Sequence, residues 1–507
     1  MKNFRNIAMV VVASVAMASC SDSIDILQDG EIYPVEALTN TTNLESYLNG
    51  AVYTSLGNSA AIKYTSLFTD ELRIGPSNSG QDLSNFRWII TPNNGYASSI
   101  WGSNYTTINR VNNLVTAAEK FVPDTTEEVK YKNTLAEARA LRALSYLNLL
   151  AYFSTDTKND NATGVMLALK PMEITETLPR VTNAEIWATM EADLNYAYAN
   201  IGNLASVRPA PYFLGKAGVN AIRARMYLYR GKYDLAKQYA QQAIAESGLS
   251  LTIATPVPSG TPGTTTWNNS FYALTGGPSQ YRQMWVDTIP GENIFKLSRP
   301  AIGQGGIADI YTTNTTSLTG SPLWTTGLNL FNLYSNTNND IRRYAYVDPT
   351  SASNAYVIDK YPGKGNTPLN NDIKLFRISE MQLIIAEAEV LGTSSDLAAA
   401  ANIVRSIRQA RTFSGTVVLP VYTTQQEALR DILVERRIEL AFEGHRLHDL
   451  KRLGSIANVG IDRNANDDRI IASTPLTLSL TDYRWTLPIP ASEINGNPSI
   501  QQNPGYN

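Results

Sequence analysis

The chain has very little of what reactive protein sites are usually built from: one cysteine and two histidines among 507 residues. With Cys20 alone, no internal disulfide and no cysteine-based metal cluster can form, so core packing has to stabilise the fold. His445 and His448 lie three apart, two ligands where a zinc site needs three or four. A packed, hydrogen-bonded role is the better reading, and neither a metal nor a cofactor is expected. Charge is sparse too: Asp, Glu, Lys and Arg make up 17% and the net charge is −3. Such a balance offers no basic patch for a phosphate backbone, which argues against nucleic acid as a partner. No G-x-S-x-G elbow occurs, so no serine stands out as a nucleophile. Beyond residue 19 no stretch is apolar enough to span a bilayer.

The first nineteen residues read as a targeting segment. Lys2 and Arg5 form a basic start, Ile7 to Met17 an apolar run too short to cross a membrane, and Ala18-Ser19 a small-residue approach to Cys20. This is what a lipoprotein signal peptidase needs, although Met17 stands where Leu is usual. Residues 1–19 are therefore expected to be removed and Cys20 to carry lipid. Residues 20–45 are polar and without periodicity, as a tether would be.

From residue 46 helical patterns take over. Ala140, Ala143, Leu144, Leu147, Leu150 and Ala151 follow the spacing of one buried helical face within residues 127–153, with Asp124 as an expected N-cap. Thr182 and Glu185 form a capping box ahead of a helix through Trp187, Met190, Leu194 and Ala197. Residues 217–245 have tetratricopeptide spacing, with Ala224, Ala236, Ala240 and Ala243 allowing close helix approach, Gly231 making the turn, and Tyr227 and Tyr233 filling the groove. A looser pair covers 376–411. Such pairs expose half their apolar face unless stacked, so the expected fold is mainly α, a superhelix of tetratricopeptide-like pairs. Residues 251–371 change to Pro, Gly, Thr, Ser and Asn with scattered aromatics, which predicts short strands and long loops. The expected organisation is one domain over 46–507, a helical scaffold at 46–250 and 372–507 carrying a ligand-binding insertion at 251–371.

Glu435, Glu439 and Glu443 repeat at i, i+4. Neighbouring carboxylates on one helix face cannot flank a glycosidic bond across a cleft, so a buried network with arginines is preferred over an acid/base pair. Asp462, Asn464, Asn466 and Asp468 alternate as in a calcium loop. Asp467, however, stands at the glycine position and Ser473 at that of the bidentate glutamate, so a turn is the better reading.

The run Ile432 to Arg452, ILVERRIELAFEGHRLHDLKR, resembles the signature helix of the SusD/RagB family of outer-membrane nutrient-binding lipoproteins. The ending Pro488 to Tyr506, PIPASEINGNPSIQQNPGY, resembles that family's ending, and WGSNYTTINRVNN at 101–113, EARALRALSYLNLLAYF at 137–153 and the 217–245 repeat resemble its earlier helices in order. The resemblance implies a non-enzymatic protein, lipid-anchored on the outer membrane and facing outward. Such a protein captures oligosaccharides and delivers them to a SusC-like TonB-dependent transporter. It also implies structural roles for Glu435, Arg436, Arg437, Glu439, Glu443, Gly444, Arg446 and Asp449. Peptide capture, an exported glycosidase and a scaffold binding only proteins are the alternatives. Contact residues do not transfer by motif, so they are sought by chemistry: sugars present apolar faces and polar rims, which call for Trp or Tyr beside Asp, Asn or Arg. The candidates are Asp70, Arg73, Trp88 and Tyr96 in one loop and Trp267, Tyr281, Trp285 and Trp324 in the insertion, about half of the aromatics being expected at the surface near one another.

Overall fold

The computed structural model describes residues 37–506, apart from 58, 173–175, 203, 205, 274, 300–306, 308–321, 336–338, 349–355, 365–369 and 472. The signal segment 1–19, Cys20 and most of the expected tether lie outside the described residues. The long helices are α1 (Gly95–Ala118), α2 (Glu128–Phe153), α3 (Asn183–Asn200), α4 (Lys216–Tyr229), α5 (Tyr233–Ser247), α6 (Ile378–Leu391), α7 (Leu397–Arg411), α8 (Gln425–Glu439) and α9 (Arg446–Ala457). Each packs on the next, except that α3 meets α4, and α7 meets α8, more lightly, and α6 also meets α8. Among the described residues no helix is long and apolar enough to cross a membrane.

The expected apolar face of α2 is fully inside, from Ala140 to Ala151. Its one buried cation, Arg142, donates to both oxygens of Asp193 on α3 at 2.8 and 2.7 Å and to the Asn112 side chain on α1 at 2.7 Å, tying three helices through one guanidinium. Thr182 and Glu185 form the capping box at α3. The cap expected at α2 does not form. Asp124 gives only its carbonyl, to the Glu127 N–H at 2.9 Å, because an intervening turn places Glu127 at the N-cap instead. Between α4 and α5, Ala224, Ala236, Ala240 and Ala243 are completely buried and Gly231 takes φ +70°, a conformation that favours glycine. Tyr227 stacks on Tyr239 with centroids 5.4 Å apart.

Among the described residues six short strands form three antiparallel pairs: β1 (Leu72–Ile74) with β5 (Trp324–Thr326), β2 (Thr163–Met166) with β3 (Arg180–Thr182), and β4 (Asn293–Leu297) with β6 (Ile373–Arg377). The first and third pairs stitch the 251–371 segment to the chain on either side. That segment is less irregular than its composition predicts: besides β4 and β5 it holds helices Thr265–Phe271, Gln280–Trp285, Leu328–Ser335 and Arg342–Tyr346. These are too short to show helical periodicity, and contacts with the scaffold rather than propensity stabilise them. One buried apolar cluster runs from Leu38 to Tyr506 and includes Trp485, Leu487 and Ile489 of the C-terminal segment.

Beneath α8 lies a lattice of buried ions. Glu439 accepts from Arg411 (3.0 and 2.9 Å), Arg377 (2.9 Å) and Arg342 (3.1 Å). Glu435 accepts from Arg342 and Arg408, Glu443 from Arg377 and Lys360, and Glu292 from Arg377 and Arg411. Burial pushes the Glu439 carboxyl up, but Arg411 and Arg377 overcome it and hold it well below the usual range. The three stacked glutamates are therefore structural, neutralised together by Arg408 and Arg411 of α7, Arg377 of β6, Arg342 and Lys360. His445 and His448 are buried in the same region and kept neutral, burial and nearby arginines lowering both.

Candidate functional site

Strand alternation in β1 turns Leu72 and Ile74 inward and Arg73 outward. The strand continues into Gly75, where a Cβ would lie 2.1 Å from the Pro322 carbonyl, so only glycine lets the two chains run this close. The Ile74 N–H donates to the Asp467 carbonyl at 2.9 Å and the Leu328 N–H to the Asp467 carboxylate at 3.0 Å, drawing the 462–470 loop against β1 and against the start of helix Leu328–Ser335. Thr326 donates to the Tyr356 carbonyl at 3.0 Å, and the Tyr356 ring stacks on Phe331 at 3.9 Å. Four separate segments thus surround a recess of about 590 Å³ lined by Arg73, Leu328, Tyr356, Asn466, Arg469 and Ile470, with Ala465 and Asp468 completing it.

The lining combines donors with apolar surface. Arg73 donates from Nε to the Asn466 carbonyl at 3.2 Å. Partial burial, then the neighbouring Arg469 guanidinium, lower the Arg73 pKa from its ordinary value. Asp468 accepts from Arg87 at 2.7 and 3.1 Å, from the Thr474 hydroxyl at 2.5 Å and from the Ile470 and Ile471 N–H groups at 2.9 Å. Burial raises the Asp468 carboxyl, but these donors hold it well below the usual range. It is the one carboxylate among the described lining residues, and with its oxygens so engaged it is placed to hold the loop rather than to move a proton.

The calcium-like residues serve the loop itself. Asp462 accepts from Arg437 at 3.0 Å and Asn329 at 2.8 Å, the Asn464 side chain accepts from the Asn466 N–H at 3.0 Å, and Asp467 accepts from the Asn464 N–H at 2.9 Å.

Of the eight candidate contact residues, the structure brings only Arg73 to this recess. Asp70 is buried, its carboxylate taking both Arg446 donors at 2.9 Å. Burial opposes its ionisation, but Arg437 and Arg446 hold its carboxyl low. Trp88, Trp267, Tyr281, Trp285 and Trp324 are each no more than 2% exposed, which corrects the expectation that about half of the aromatics would gather at the surface. Their physical role is to line the buried ions and pack the core. Lys360, Lys374 and Arg377 stand 4.4, 5.0 and 5.2 Å from the Trp285 ring, Arg411 lies 4.4 Å from Tyr281 and Arg463 4.2 Å from Trp88. Tyr281 also shares a hydroxyl contact with Tyr346. Trp267 stacks on Phe271 and Trp324 packs on Phe86. Tyr96 is half-buried at the start of α1, packed 5.9 Å from Tyr64, and does not line the recess. Sequence reasoning missed Tyr356, Asn466 and Arg469. The signal was the Asp462–Asp468 alternation, which marked a structured loop but was weighed only as a metal site.

Stacked helix pairs bearing an open, loop-built recess define a helical-repeat scaffold. A sequence profile described as the SusD family matches residues 311–506. SusD-like protein P38 of Formosa agariphila is 26% identical over 557 residues, covering 100% of both chains. Among solved structures, a SusD superfamily protein from Bacteroides thetaiotaomicron has a TM-score of 0.73 at 23% identity, covering 92% of this chain and 100% of its own. Surface glycan-binding protein A from Bacteroides uniformis has a TM-score of 0.65 at 19% identity, covering 91% and 99%. The C-terminal part of the chain thus matches the SusD family profile, and over its whole length the chain is similar to SusD-like proteins.

Proposed function

We propose that this protein is a non-enzymatic glycan-binding lipoprotein of the outer membrane, which captures oligosaccharides in the Arg73–Tyr356–Arg469 recess and passes them to a SusC-like TonB-dependent transporter. The observation that carries the reading is the recess itself. Guanidinium and amide donors converge there beside a tyrosine stacked on Phe331, the pairing of polar rim and flat apolar face that a sugar ring requires. The match of residues 311–506 to the SusD family profile supports it, as does the likeness to a structure named for surface glycan binding. In this reading residues 46–507 act as one domain and the 251–371 insertion contributes Leu328 and Tyr356. Residues 1–19 direct export, and lipid on Cys20 holds the mature chain at the outward face.

Calorimetric titration of the purified mature protein with a panel of oligosaccharides tests the binding role. We expect at least one ligand to bind and Tyr356→Ala to weaken it about tenfold or more. A panel without any binder, or unchanged affinity in the Tyr356 variant, overturns the reading. For the anchor, Cys20→Ala should move the protein from the membrane to the soluble fraction; a variant that stays with the membrane removes the lipid from the argument.

A further inference from the structure

Among the described residues that line the recess, two guanidiniums, Arg73 and Arg469, stand against one carboxylate, Asp468, in a chain whose net charge is −3. Among the described residues, Arg73, Arg87, Arg463 and Arg469 stand around Asp467 and Asp468. Widening the circle to Asp70 and Asp462 brings in Arg437 and Arg446 as well and leaves the same surplus of two. The carboxylates are also the less available partners. Asp468 is committed to Arg87, Thr474 and two backbone N–H groups, and Asp467 accepts from the Leu328 and Asn464 N–H groups. Arg469 is exposed, lines the recess and has no ion pair among the described residues. Its guanidinium is close enough to Arg73 to make protonation there less favourable.

Two guanidinium groups lining one cavity repel, and an anion between them removes that repulsion while accepting paired N–H donors from Arg469. Beside them lie the Leu328 and Ile470 side chains and the Tyr356 ring. We propose that the glycan captured here is acidic, with a carboxylate or sulfate ester of one sugar residue seated between Arg73 and Arg469 and the ring of that residue against Tyr356. This rests on the recess being the glycan site, and it adds the chemical class of the ligand.

The test uses the mature protein and matched pairs of oligosaccharides: uronate-containing oligomers with their carboxyl-reduced counterparts, and sulfated oligomers with their desulfated counterparts. In at least one arm the charged member should bind about tenfold or more tighter than its neutral partner, with the difference shrinking as salt rises; which arm responds tells carboxylate from sulfate. Arg469→Ala should bring the charged-to-neutral ratio close to one, Arg469→Lys should restore part of it, and Tyr356→Ala should weaken charged and neutral members alike. Neutral members binding as tightly as charged ones in both arms, or a ratio untouched by Arg469→Ala, overturns the acidic-glycan proposal while leaving the glycan site standing. No binding in either arm removes both.

Discussion

Two regions of this protein are crowded with arginine, and they differ in what completes them. Around Glu439, four glutamates meet four arginines and Lys360, every one of those carboxylates receives at least two donors, and tryptophan and tyrosine rings close the remaining space. Around Arg469 the carboxylates are fewer, they are spoken for by loop backbone and by Arg87, and Arg469 itself is exposed with no ion pair among the described residues. A closed set of charges does structural work, whereas an open set leaves binding capacity over. The same residue type carries both roles, and only the count of partners separates them.

The sharpest way to break the closed set is Glu439→Gln. It removes one negative charge from among Arg342, Arg377 and Arg411, leaving buried guanidiniums without full compensation, and should cost about 3–5 kcal/mol. Urea unfolding followed by circular dichroism should show a correspondingly lower midpoint. A loss of less than about 1 kcal/mol would mean that the lattice is not a cooperative unit.

This lattice was largely legible in the sequence, whereas the recess was not. Three glutamates at i, i+4 beside several arginines permit few arrangements besides a neutralised buried network. The helix pairs were legible for a similar reason, since alanine spacing at 217–245 and the 140–151 face report local packing directly. Long-range pairing decides the rest. Whether Trp285 faces a sugar or Lys360 depends on a strand and a loop 70 to 90 residues away, and no local pattern encodes it. Arg73 could be placed outward by strand alternation once β1 was known. Tyr356 and Arg469 meet it only because the Asp467 hydrogen bonds fold one loop onto another.

Glu71 lies between the two extremes, a buried carboxyl whose hydrogen bonds among the described residues come from the Ser66 hydroxyl and the Phe442 N–H rather than from a guanidinium. Burial raises its pKa from 4.5 to about 7, against the pull of the Ser66 hydroxyl and the Phe442 N–H. Between those pH values the unfolded chain gives up this proton while the folded protein keeps it. The native state therefore binds more protons, and stability falls as pH rises, by about 3 kcal/mol across the window. Asp359, raised to about 6 by burial against the pull of Arg282, acts in the same direction. Urea midpoints measured from pH 4.5 to 7.5 should decline, and Glu71→Gln should flatten the decline. An equal slope in the variant would place the titration elsewhere.

A helix cap gives a scale for interactions that lie outside both regions. Thr182 is half-buried at the end of β3 and its side chain closes the capping box with the exposed Glu185, so Thr182→Ala should cost about 1 kcal/mol and leave glycan binding unchanged.

Arg469→Ala should have the smallest effect on stability and the most informative one on binding. The side chain is exposed and has no ion pair among the described residues, so its removal should change stability by no more than about 0.5 kcal/mol. It should even relieve Arg73, whose protonation Arg469 opposes. If a charge does structural work in proportion to the partners it already has, this variant must keep the parent's urea midpoint while losing affinity for an acidic glycan, the reverse of the effect on stability expected at Glu71. A midpoint that falls by 2 kcal/mol or so would instead put Arg469 in a structural network of its own, and the contrast between closed and open charge sets would fail at the residue on which it depends most.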